Sequence, residues 1–127
     1  MRAGVHDGFD RIVLDITGTV EPPGPGWRAA YTDTPTRDGS GLPVEIAGDS
    51  SLVLTVNGMA YPEPGDPVYD DGDFGLDTHR LGAVVEVIRA TPFEGQLDVY
   101  LGITGEPRPY RTFLLQDPMR LVIDVQH

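Results

Sequence analysis

The chain has no cysteine and no lysine: its nine basic residues are all arginine, set against twenty Asp and Glu, for a formal charge of −11. Without cysteine there is no disulfide framework, no thiol nucleophile and no Cys-ligated zinc or iron–sulfur site. An acidic excess of this size repels phosphate backbones and anionic lipid, which argues against nucleic acid and bare membrane as partners. Long apolar runs are also missing. Nothing approaches a membrane span, and the opening Met1 to Asp7 lacks the apolar core of a secretory signal, so the chain itself is expected to hold no transmembrane segment. Helical periods are absent as well, since no stretch of helical length escapes a Gly or Pro among the 16 Gly and 12 Pro. No repeat and no long flexible linker divides the sequence, so residues 1–127 are expected to form one domain, burying roughly two-thirds of the surface of the unfolded chain.

What is present is period-two alternation. Arg11 to Ile16 puts Ile12, Leu14 and Ile16 on one face and Arg11, Val13 and Asp15 on the other, the pattern of a half-buried strand. The same pattern returns at Trp27 to Tyr31, Leu52 to Val56, Leu97 to Ile103 and Leu121 to Val125. Ala83 to Ala90 and Tyr110 to Leu115 are denser in β-branched and aromatic residues and are read as central strands covered on both sides, with Val44 to Ala47 as a short eighth. Turn chemistry separates them: Asp7-Gly8, Glu21 to Gly26, Arg37 to Gly41, Asn57-Gly58, and Gln116 to Met119, which is short enough for a hairpin. These signals predict an all-β fold, a two-sheet β-sandwich of about seven or eight mostly antiparallel strands without substantial helix. Trp27 is expected in the core.

Few residues point to chemistry. The segment from about 62 to 80 reads as a long acidic loop in which Asp66, Asp70, Asp71, Asp73 and Asp77 fall within a dozen residues. Carboxylates so spaced can wrap a hard cation, and Asp70, Asp71 and Asp73 are the candidate calcium ligands, although the EF-hand ligand order is absent and the alternative is a solvated acidic loop. Tyr61, Tyr69 and Phe74 in the same loop offer ring faces for a sugar or peptide, or else a lid over the end of the sandwich. His6 and Asp7 precede the first alternating segment, but no nucleophile accompanies them: Ser40 lies in a Gly-Ser-Gly loop and Ser50-Ser51 open a strand. His6, His79 and His127 share no metal-binding spacing, and the Gly-rich stretches do not lead from a strand into a helix. The expectation is a protein that is not an enzyme.

The two ends of the chain carry a resemblance. His6-Asp7-Gly8-Phe9-Asp10-Arg11-Ile12-Val13-Leu14-Asp15-Ile16 and Asp117-Pro118-Met119-Arg120-Leu121-Val122-Ile123-Asp124-Val125 resemble the bracketing strands of AMIN and AMIN-like domains of bacterial cell-envelope proteins. Gly48-Asp49, Gly58 to Pro62 and Phe93-Glu94-Gly95 are similar to the AMIN-like variety. The resemblance implies an extracytoplasmic setting, secreted or lipoprotein-anchored, with any leader outside this chain, and a non-catalytic module that recognises peptidoglycan or another wall glycan. A protein-protein interaction scaffold of an envelope complex and a calcium-stabilised surface module are the alternatives. If the first and last strands are neighbours, Arg11, Asp15, Arg120 and Asp124 form cross-strand pairs that seal the fold, or a row that binds a partner, and Arg11 and Arg120 join the candidate ligand-binding residues.

Overall fold

The structure is a computed structural model that describes residues 1–16, 25–58, 74–92 and 95–127, with Phe74 described through its backbone. Its strands are β1 (Arg2–His6), β2 (Phe9–Asp15), β3 (Gly26–Thr32), β4 (Ser50–Asn57), β5 (Phe74–Gly75), β6 (Val84–Arg89), β7 (Gln96–Ile103), β8 (Tyr110–Leu115) and β9 (Arg120–Gln126). One antiparallel sheet runs β1-β2-β9-β8; the other runs β3-β4-β7-β6, with the two-residue β5 added at its edge. No helix occurs among the described residues. The alternation read from the sequence is what drives the assembly. Ile12, Leu14 and Ile16 of the first sheet, with Leu121, Ile123 and Val125 beside them, meet Leu52, Leu54, Val56, Val99, Leu101 and Ile103 of the second in one buried cluster. Burying that surface is the main stabilising term, and the expected all-β sandwich is the outcome.

Three local expectations need correction. β1 lies where a polar lead-in was read: Arg-Ala-Gly-Val-His has no alternation of its own, and it becomes a strand by pairing with β2 from Arg2↔Val13 to His6↔Phe9. The Asp7-Gly8 turn that joins them does form, with Gly8 at φ 87°. Tyr110 to Leu115 is an edge strand paired with β9 alone, not a covered central one. Val44 to Ala47 is not a strand; it belongs to a loop over the outer face of the second sheet, tied by a single bridge between Thr36 and Pro43, with Val44 buried beneath.

That loop sits so close to β7 that glycine is required. A Cβ at Gly102 would overlap the Ala47 carbonyl oxygen, and one at Gly48, where φ is 101°, would come within 2.8 Å of the Ile103 backbone. Trp27, expected in the core, is half-buried against it and donates its Nε1–H to Thr112 Oγ1 at 2.9 Å, joining β3 to β8 across the sheets. Val84/Glu86 marks an irregularity in the β6–β7 register that leaves Val85 partly exposed.

Candidate functional site

The two terminal motifs pair directly. β2 and β9 run antiparallel with Arg11 opposite Asp124 and Asp15 opposite Arg120. Alternation then divides each motif between an inward and an outward role, and the inward one is structural. Asp10 is fully buried and accepts the backbone N–H groups of Gly82, Ala83 and Val84 at 2.9, 2.7 and 2.9 Å. His127 Nε2 lies 2.6 Å from the same carboxylate, and its ring packs where a Cβ on Gly82 would stand. Asp10 thus ties β2 of one sheet to the segment leading into β6 of the other. Burial pushes its carboxyl pKa up, but the three N–H donors and His127 outweigh burial and hold it below the usual value.

The outward side is different in kind. Phe9 and Arg11 from β2, Asp124 and Gln126 from β9, and Arg111 and Phe113 from β8 share the outer face of the four-stranded sheet. Arg11 grips Asp124 with two parallel bonds, Nε to Oδ1 at 2.8 Å and Nη2 to Oδ2 at 2.9 Å. Arg111 adds its Nε–H to Oδ2 at 2.8 Å. Burial raises the Asp124 carboxyl pKa, while the two guanidinium groups lower it by more, so it stays ionised. Both guanidinium carbons lie 5.4 to 5.6 Å from the Phe9 and Phe113 ring centroids, within cation–π range. His6 stacks on Phe9 at 5.0 Å and extends the patch over β1. Two cations on one carboxylate give this patch a local positive excess on a strongly acidic chain. Beside it lies a shallow concavity of about 420 Å³ bordered by Phe9, Tyr110, Arg111, Asp124, Gln126 and the Asp7-Gly8 turn.

Of the residues singled out from the sequence, Arg11 is at the centre of this face. Arg120 is not: it donates Nε–H to the Pro118 carbonyl at 2.9 Å and braces its own hairpin. Asp15, opposite it, is gripped instead by Arg2 at 2.7 and 2.9 Å. Tyr61, Tyr69, Asp70, Asp71 and Asp73 lie outside the described residues, as does the Phe74 side chain; the Phe74 backbone pairs with Arg89. Among the described residues no group of three or more His, Asp or Glu is placed to hold a metal ion. Phe9, Arg111 and Phe113 were not singled out in the sequence. The signal for Phe9 is the alternation of β2, which puts it on the side of Arg11, and that for the other two is the alternation of β8, which sends Arg111, Phe113 and Leu115 to one side.

A second polar cluster fastens the loop on the opposite sheet. Asp98, nearly buried, accepts Thr55 Oγ1–H at 2.7 Å, and Tyr100 donates its hydroxyl to the Thr36 carbonyl at 2.9 Å. Asp38 comes down from the loop beside Asp98, and their shared hydrogen bond, with burial and like charge, raises the Asp38 pKa to about 6. A carboxyl whose folded pKa is raised contributes stability that is fully present below about pH 4 and is lost as pH rises through about 6. Asp10 and Asp124 have lowered values and act in the opposite sense, their contribution disappearing as pH falls below about 4. Thermal stability is therefore expected to peak near pH 4 and decline to about pH 6, with Asp38→Asn removing the decline. A wild-type melting temperature that is flat from about pH 4 to 6.5 would contradict the Asp38–Asp98 contact.

Comparison with known proteins agrees with the geometry. The AMIN-like domain family matches residues 1–127, the whole length, and the chain belongs to that family. No curated protein and no solved structure matches it. The family implies a cell-envelope context, and no helix of the described residues is long and apolar enough to cross a membrane.

Proposed function

We propose that this AMIN-like domain is a non-catalytic, extracytoplasmic binding module that recognises peptidoglycan or another wall glycan through the outer face of its four-stranded sheet. The observation that carries the reading is the Arg11–Asp124–Arg111 cluster between Phe9 and Phe113, where both terminal motifs converge on an exposed surface. A chain of charge −11 is repelled by anionic wall polymers at long range, so contact has to be local and led by cations. Arginines held on a buried carboxylate beside aromatic rings supply that contact with little ordering cost. Family membership supports an envelope-associated binding module in general; the wall ligand, and secretion or lipoprotein anchoring, are the specific content of this proposal. Tyr61, Tyr69 and Phe74 are assigned to the same ligand as additional ring faces, and Asp70, Asp71 and Asp73 to a calcium ion that strengthens the contact.

The test is sedimentation of the purified domain with insoluble peptidoglycan, with calcium and again with chelator. Wild-type protein is expected in the pellet and Arg111→Ala in the supernatant, with less wild type pelleted in chelator. Wild-type protein that stays in solution under both conditions contradicts the wall reading and favours a protein partner, as in an envelope scaffold.

A further inference from the structure

The two arginines on Asp124 are not equivalent, and the difference assigns a ligand chemistry. Arg11 spends both Nε and Nη2 on the carboxylate and is 28% exposed, which makes it part of the framework. Arg111 gives Asp124 only its Nε–H, and its side chain is 65% exposed. Its terminal amino groups have no acceptor among the described residues. The guanidinium is nevertheless held in place, anchored through Nε to a carboxylate that is 4% exposed and set 5.5 and 5.6 Å from two phenylalanine rings. A planar fork fixed at one edge with its donors open is suited to a planar oxyanion, which it meets with two parallel bonds.

The surroundings narrow the class. Phe9 and Pro109 give the adjoining concavity apolar borders, and Gln126, beyond Asp124 on the same outer side of β9, adds an amide. Its volume, about 420 Å³, falls in the range of about 300–1,000 Å³ typical of small-ligand sites. Arg11 and Arg111 outweigh Asp124 by one charge, and Asp7 on the turn at the rim cancels it, so attraction for an anion comes from the open donors of Arg111 and is limited to a singly charged group. We propose that Arg111, supported by Gln126, binds a single carboxylate borne on an apolar stem, as at the end of a short peptide. This rests on the reading of the outer face as the binding surface and names what that surface recognises.

The experiment is a titration of the ¹⁵N-labelled domain with N-acetyl-leucine and, separately, with its neutral amide. The acid is expected to shift the Arg111 Nε–H and Gln126 side-chain signals saturably and to bind about tenfold more tightly than the amide, as a charge-assisted pair requires. Arg111→Gln is expected to remove that preference. Arg111→Lys, which keeps the charge without the fork, is expected to weaken it, and Asp7→Asn to strengthen acid binding. Melting temperatures measured alongside separate a lost contact from a lost fold. Equal binding of acid and amide, or no saturable shift with the acid, overturns the carboxylate site. If the domain still sediments with peptidoglycan in an Arg111-dependent way, the outer-face reading survives that result; if sedimentation also fails, that reading falls with it.

Discussion

Asp10→Ala is expected to lower the unfolding free energy by about 4–6 kcal/mol, a drop of roughly 15–20 °C in melting temperature for a domain of this size. The substitution leaves the N–H groups of Gly82, Ala83 and Val84 without their acceptor, and two of the three bonds are fully buried. Each orphaned buried donor costs about 1–3 kcal/mol, and water entering the vacated space recovers part of it. Asp10→Asn keeps the shape and one acceptor oxygen, so it should fall between wild type and Asp10→Ala and should flatten the acid limb of the stability profile. Thermal unfolding followed by circular dichroism measures both. A loss under about 1 kcal/mol for Asp10→Ala would mean that the sheets are not joined through this carboxylate.

Asp124→Ala should affect stability and binding together. Removing the carboxylate leaves the guanidinium of Arg11 half-buried without its anion and frees Arg111 from the one hydrogen bond that it makes among the described residues. Breaking a fully buried pair costs about 3–5 kcal/mol, but both arginines reach solvent here, so about 2 kcal/mol is the expected loss. Adding Arg11→Ala to Asp124→Ala should cost much less than Arg11→Ala does alone, because the pair is already broken. Wall binding should vanish in Asp124→Ala even below its melting temperature, since the cationic fork loses its fixed direction. Unchanged stability together with unchanged binding would show that the cluster does neither job.

Asp10 and Asp124 lie in stretches where the sequence is most legible. Strict alternation over Arg11 to Ile16 and Leu121 to Val125 identifies both strands and their buried faces, and the two motifs suggested the pairing that the register of Arg11 with Asp124 realises. The roles of the two acids are less legible. The partners of Asp10 lie more than seventy residues away in backbone that has no side-chain signature. β1 is illegible for a related reason: Ala3 and Gly4 are poor strand formers, and the segment is extended because β2 offers it a ladder. Val44 misled in the other direction, its apolar side chain serving a loop packed over β7 rather than a strand. Arg111 is hard to read from the sequence because Tyr110 to Leu115 is rich in aromatic and aliphatic residues, the composition of a strand covered on both sides. On an edge strand the same composition gives an outward Arg111 and Phe113 and an inward Tyr110, whose hydroxyl donates to the Ala29 carbonyl of the facing sheet at 2.8 Å.

The outer face is the centre of the functional account, and an amide-shift map of the ¹⁵N-labelled domain titrated with soluble peptidoglycan fragments tests it most directly. The account predicts shifts gathered at Phe9, Arg11, Arg111, Phe113, Asp124 and Gln126, with the face around Thr55, Asp98 and Tyr100 unmoved. Shifts confined to that second face, or none at concentrations where the intact wall sediments the domain, would contradict it.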